Sequence, residues 1–83
     1  MASHMANHLS SIVGRNIAAA RDTAGFTQHE LASRLNTSTS RVSGWERGEH
    51  LPSQKQQPAI AELLFDGDIT AIFRDSEPEG AAA

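Results

Sequence analysis

Residues 39–43 read Thr-Ser-Arg-Val-Ser, so three hydroxyls and a guanidinium fall within five positions. At helical spacing Thr39, Ser40, Arg41, Ser43 and Gly44 share an outer face, while Val42 and Trp45 turn inward. Hydroxyls donate and accept hydrogen bonds, and a guanidinium can hold two acceptors at once in a fixed fork. Gly44 has no side chain and allows another surface to approach the backbone closely. Such a face suits recognition of a hydrogen-bonding surface. It does not suit bond-breaking chemistry. No serine or aspartate stands in a nucleophile motif, and no glycine-rich phosphate loop is present. His8, His29 and His50 lack metal-ligand spacing. The expectation is a protein that is not an enzyme and uses no cofactor and no metal.

The elements around that face must fix its direction. Thr27 stands three residues before Glu30, the pattern of a capping box that opens a helix over about 27–35. Phe26 and Leu31 flank this start as a hydrophobic staple. Asn36-Thr37-Ser38 then makes a turn. A sharp reversal between crossed helices needs a residue with positive φ, and asparagine tolerates this better than most residues other than glycine. Ser38 caps the next helix, over about 39–47, and Gly48 stops it. Leu31, Ala32, Leu35, Val42 and Trp45 are the core contacts of this helix pair. Ala32 is small because the helices cross closely there, and Trp45 shares its period with Val42, which marks it for burial.

Upstream, Leu9, Val13, Ile17, Ala20 and Ala24 recur every three or four residues and predict a helix over about 9–23, ended by Gly25. Downstream, Leu51-Pro52-Ser53 is a connector. Pro58 falls in or near the first turn of a helix over about 57–65, whose apolar stripe is Ile60, Leu63 and Leu64. Asp66-Gly67-Asp68 breaks that helix, and Asp68 caps a last one over about 69–74. No segment reads as a strand, and there is no internal repeat. The fold class is therefore all-α, a compact bundle of about five short helices. The domain is expected over 6–74. Residues 1–5 read as an expression scar, and 75–83 as a disordered acidic and alanine-rich tail.

The 83 residues carry no cysteine and a net charge of −3. The absence of thiols excludes a disulfide framework and fits a reducing cytoplasm. No apolar run approaches the roughly 20 residues of a membrane span, so no membrane partner is expected. The charge is unevenly placed. Residues 1–56 hold six cations against four anions, or +2, and residues 57–83 hold one against six, or −5. A phosphate-bearing partner should meet the first part and be repelled by the second, although acidic tails also serve simply as solubilisers.

Gly25-Phe26-Thr27-Gln28, Glu30-Leu31-Ala32 and Trp45-Glu46-Arg47-Gly48, followed by Pro52, resemble the Cro/cI-type helix-turn-helix family of phage repressors and related bacterial regulators. The resemblance covers roughly residues 9 to 64. It implies a lambda-repressor-like domain whose second crossed helix enters the DNA major groove. It implies base contacts from the positions of Thr39, Ser40 and Gly44, with Arg41 and Ser43 beside them. Arg41 can grip guanine O6 and N7 or reach only a phosphate. Gln28 is implied to touch a phosphate and to brace the recognition helix; otherwise it is a solvated glutamine. Thr27, Arg15, Arg47 and Lys55 are further candidates for phosphate contacts, or ordinary surface groups. Arg21 and Glu46 match a structural ion pair between the first and third helices. Asn36 and Thr37 depart from the family's usual glycine and apolar residue, and the segment after Pro52 matches only loosely.

The function these readings imply is sequence-specific binding of double-stranded operator DNA by a phage or prophage repressor, in the cytoplasm and at the nucleoid of a bacterial or infected cell. The alternative is an antitoxin or bridging module whose main partner is a protein. Leu63, Leu64, Phe65, Ile69, Ile72 and Phe73 are too many apolar residues for one short helix to hide, so some can form a homodimer through the C-terminal helices.

Overall fold

A computed structural model of the chain describes the backbone of residues 2–75 and the side chains from residue 8 onward. Five helices follow one another: α1 (Ala2–Ala24), α2 (Gln28–Arg34), α3 (Thr39–Glu46), α4 (Gln56–Leu64) and α5 (Ile69–Phe73). No strand occurs among the described residues. The expected tail over 75–83 lies outside them except for Asp75.

The local signals act as their chemistry dictates. Thr27 Oγ1 accepts the Glu30 amide at 3.0 Å and Glu30 Oε1 accepts the Thr27 amide at 2.8 Å, a complete capping box. Asn36 has φ 57°, and the amides of Asn36 and Thr37 donate back to Ser33 and Ala32. One left-handed residue thus closes the last turn of α2 and satisfies two carbonyls. Gly25, with φ 83°, does the same for α1. Ser38 Oγ caps α3 by accepting the Arg41 amide at 3.1 Å. Pro58 is the third residue of α4, where a missing amide costs little. Asp68 caps α5 by accepting both the amide and the hydroxyl of Thr70.

Helix α3 packs on both α1 and α2, and α5 lies against α1 and α4. Val13, Ile17, Leu31, Val42, Trp45, Ile60 and Ile72 are the large side chains with essentially no exposure. Leu35 is half-buried against them.

Two expectations for α1 need correction. The helix begins at Ala2, not near residue 9, and so includes residues set aside as a scar. Periodicity reports only the part of a helix that buries a face, whereas this extension contains no breaker and continues by propensity. Leu9 is 38% exposed, and Ala24 is exposed. Among the described side chains, the buried residues of α1 are Ser10, Ile12, Val13, Gly14 and Ile17. Val13 and Ile17 belong to the expected stripe, but Ser10 and Gly14 are not apolar. The hydrophobic pattern therefore found the centre of the face, missed these two and took in the exposed Leu9 and Ala24. Gly14 is there for contact: a Cβ would lie 2.3 Å from the Trp45 carbonyl oxygen, so α1 rests directly on the end of α3.

Asn16, absent from the expectations, ties the C-terminal helix down. Its side-chain amide donates to the carbonyls of Ile72 and Arg74, each at 2.8 Å. These carbonyls end a five-residue helix and have no partner within it.

Candidate nucleic-acid interface

The position of α3 is set by one carboxylate. Glu46 Oε2 accepts from Arg21 Nε at 2.6 Å, and Oε1 accepts from Arg21 at 3.1 Å and from Gln28 Nε2 at 2.9 Å. The third arm of the guanidinium donates to the Phe26 carbonyl at 2.7 Å. Three elements are therefore joined at one point: α1 by Arg21, α2 by Gln28, α3 by Glu46. The two charged side chains are 18% and 7% exposed. Glu46 holds the Arg21 guanidinium above its ordinary value, chiefly by hydrogen bonding, against the burial that would lower it. The expected structural pair is present, and Gln28 has a bracing bond to the same group.

With Val42 and Trp45 buried, the opposite side of α3 is open. Thr39, Ser40 and Arg41 are all exposed. Arg41 lies between two shallow depressions. One is lined by Asn36, Thr37, Ser53 and Lys55 with Arg41, the other by Ser38, Ser40, Arg41 and His50. Lys55 is thereby brought close to the helix face, at the head of α4. His29 Nδ1 stands 3.3 Å from Thr39 Oγ1, which places a second ring beside the start of α3.

Ser43 and Arg47 form a separate group on the rim. Ser43 is half-buried, and its hydroxyl accepts from the Arg47 guanidinium. The same guanidinium makes two bonds to Glu49, at 2.8 and 3.0 Å. Each partner shifts the other: Arg47 is raised, and Glu49 lowered, first by their hydrogen bond and then by charge. Arg47, named above as a phosphate contact, is thus already engaged by a carboxylate. Thr27 is exposed, with its oxygen occupied by the cap. Arg15 is exposed on α1, one residue beyond the Gly14 contact.

Gly44 lies on the same side of α3 as Ser40 and Arg41, as expected, but it is not open to solvent there. It is buried, and a Cβ built on it would lie 2.4 Å from His50 Nε2. The imidazole of the following loop covers it. Sequence reasoning left His50 aside because a lone histidine in a connector has no metal spacing. The available signal was a glycine inside a helix, which needs a packing reason.

Among the described residues, no group of three or more histidines and carboxylates could hold a metal, and no helix is long and apolar enough to cross a membrane. A Cro/cI-type family model, described as helix-turn-helix, matches residues 17–65, from within α1 to the end of α4. Among the curated proteins and the solved structures, nothing matches the chain.

Proposed function

The chain belongs to the Cro/cI-type helix-turn-helix family of DNA-binding proteins, and we propose that it is a sequence-specific repressor of phage or prophage type. It acts by occupying an operator, with α3 in the major groove, in the cytoplasm and at the nucleoid. The observation that carries this reading is the two-sidedness of α3. One side is buried and fixed through Glu46, and the other presents Thr39, Ser40 and Arg41 to solvent. A rigidly held helix with exposed hydrogen-bonding groups is what base readout requires.

Within this reading Arg41 grips a guanine edge or a neighbouring phosphate, and Thr39, Ser40 and Ser43 supply single hydrogen bonds. Gln28, Thr27, Arg15, Arg47 and Lys55 supply phosphate contacts that set orientation without reading sequence. Two copies joined through their C-terminal helices place their α3 helices about 34–36 Å apart, one turn of DNA. Support for that pairing comes from Ile69, 38% exposed on α5, and from a shallow depression lined by Ala19, Ala20, Leu64, Phe65 and Ala71.

Selection of bound duplexes from a random pool tests the proposal. A two-fold repeated half-site is expected, with affinity falling steeply as salt rises. Absent or salt-insensitive DNA binding overturns it and favours the antitoxin or bridging reading. Arg41→Ala sharpens the outcome: it relaxes preference at one base position if Arg41 reads a base, and weakens all sequences alike if it meets phosphate.

A further inference from the structure

His50 and Gly44 compete for one volume. A Cβ on Gly44 would meet His50 Nε2 at 2.4 Å and both neighbouring ring carbons at 3.1 Å. The tip of the imidazole therefore rests where a side chain at position 44 would begin. Glycine in a helix interior is less stable than alanine, so its presence in the middle of α3 calls for a contact that excludes a Cβ. The ring is that contact. It buries Gly44 while remaining exposed itself.

The place the ring occupies is on the recognition side. Position 44 is one helical turn beyond Ser40 and three residues beyond Arg41, so all three share a face. His50 lines the same depression as Ser38, Ser40 and Arg41. A loop residue has thus been laid onto the helix at a point where the helix has no side chain of its own. Imidazole offers a ring N–H donor there and, when neutral, an acceptor as well.

We propose that His50 is a specificity-determining residue. Its ring supplies the base contact that Gly44 lacks, next to the base pairs met by Ser40 and Arg41 in the major groove. The inference rests on the DNA-reading function proposed above and assigns part of that function to the loop after α3. The recognition surface is then composite, built from a helix and a loop ring seated where Gly44 has no side chain.

The experiment is selection of duplexes from a random pool by the full chain, by His50→Ala, by Gly44→Ala and by the double variant, with thermal melts as a check on folding. Gly44→Ala presses only on the far end of a flexible side chain, so it displaces the ring without disturbing the core. His50→Ala and Gly44→Ala should both lose discrimination at the same base position of each half-site, by about tenfold, and keep it elsewhere. The double variant should be no worse than either single one. His50→Asn, which keeps a hydrogen-bonding group, should shift the preferred base instead of abolishing the preference. Unchanged preference at every position in both single variants overturns the inference and leaves the DNA-reading function intact. Equal weakening of all sequences overturns it too, since that marks a phosphate or packing role. No selected duplex with the unaltered chain overturns both.

Discussion

Two arginine–glutamate forks meet at the end of α3 and differ in little but their surroundings. Arg21 and Glu46 bond at 2.6 and 3.1 Å, and Arg47 and Glu49 at 2.8 and 3.0 Å. The acceptor of the first is the sequence neighbour of the donor of the second. The first lies in the seam between helices, 18% and 7% exposed; the second lies on the rim, 58% and 55% exposed. In the seam, water cannot replace a lost partner, so the fork fixes the direction of α3. On the rim it can, so the fork contributes little to stability and is free to act on a ligand. Similar bond lengths therefore say nothing about role. Burial decides it.

The largest effect should come from the seam. Glu46→Ala leaves Arg21 mostly buried with one carbonyl partner, and leaves the Gln28 amide without its acceptor. A loss of roughly 3 kcal/mol is expected, the lower end for a broken buried pair because Arg21 retains some exposure. Chemical denaturation measures it. Replacing both partners, as Arg21→Met with Glu46→Leu, should cost less than Glu46→Ala alone, since no charge is then stranded. Should the double variant be the less stable, the seam fork contributes net stability beyond mutual neutralisation.

Gly14→Ala addresses the same seam from the backbone. Its Cβ would lie 2.3 Å from the Trp45 carbonyl oxygen and 3.0 Å from that of Glu46, and neither is a flexible side-chain end. Helix α1 must move away from α3, at a cost of roughly 1–3 kcal/mol, even though alanine favours the helix. A variant as stable as the parent would mean that the two helices slide freely, which the directional role of the fork does not allow.

What was legible in the sequence follows the same division. Signals local to the backbone were read directly: the Thr27–Glu30 box, Asn36 with its positive φ, the caps at Ser38 and Asp68. Each depends on residues within a few positions. The buried side of α3 followed from period alone. The seam fork was reached only by resemblance, because 25 positions separate Arg21 from Glu46 and nothing in their spacing links them. Asn16, Gly14 and His50 were missed for a related reason. Asn16 acts on carbonyls 56 and 58 positions away, and Gly14 and Gly44 act by what they lack. A hydrophobic pattern has no means of recording a polar group that turns inward or a methyl group that must be absent. The same blindness extended the inner stripe of α1 from Val13 and Ile17 to the exposed Leu9 and passed over Ser10 and Gly14.

The capping box is intermediate between seam and rim, being exposed but part of the backbone's own bonding. Thr27→Ala removes the acceptor for the Glu30 amide and should cost about 1 kcal/mol, read as a lower midpoint in urea. Thr27→Ser should retain most of it. Equal losses for the two would assign the effect to the threonine methyl and not to the cap.

The rim fork should show the smallest change in stability and an opposite sign in function. Glu49 is held below the ordinary carboxylate range by Arg47, so the pair persists at neutral pH and is lost only as pH falls through that lowered value. Substitution tests it better than acid does. Glu49→Gln removes the competing anion while leaving Ser43 and Arg47 in place. Folding stability should stay the same within error. If Arg47 meets a phosphate, affinity for the selected duplex should rise roughly two- to fivefold, with a salt dependence steeper by about one released ion. Arg47→Gln should do the reverse. A rise in affinity of the same size for Glu49→Gln in the Arg47→Gln background would place the effect in general repulsion of DNA by Glu49, and the rim fork would then regulate approach to the duplex without Arg47 touching it.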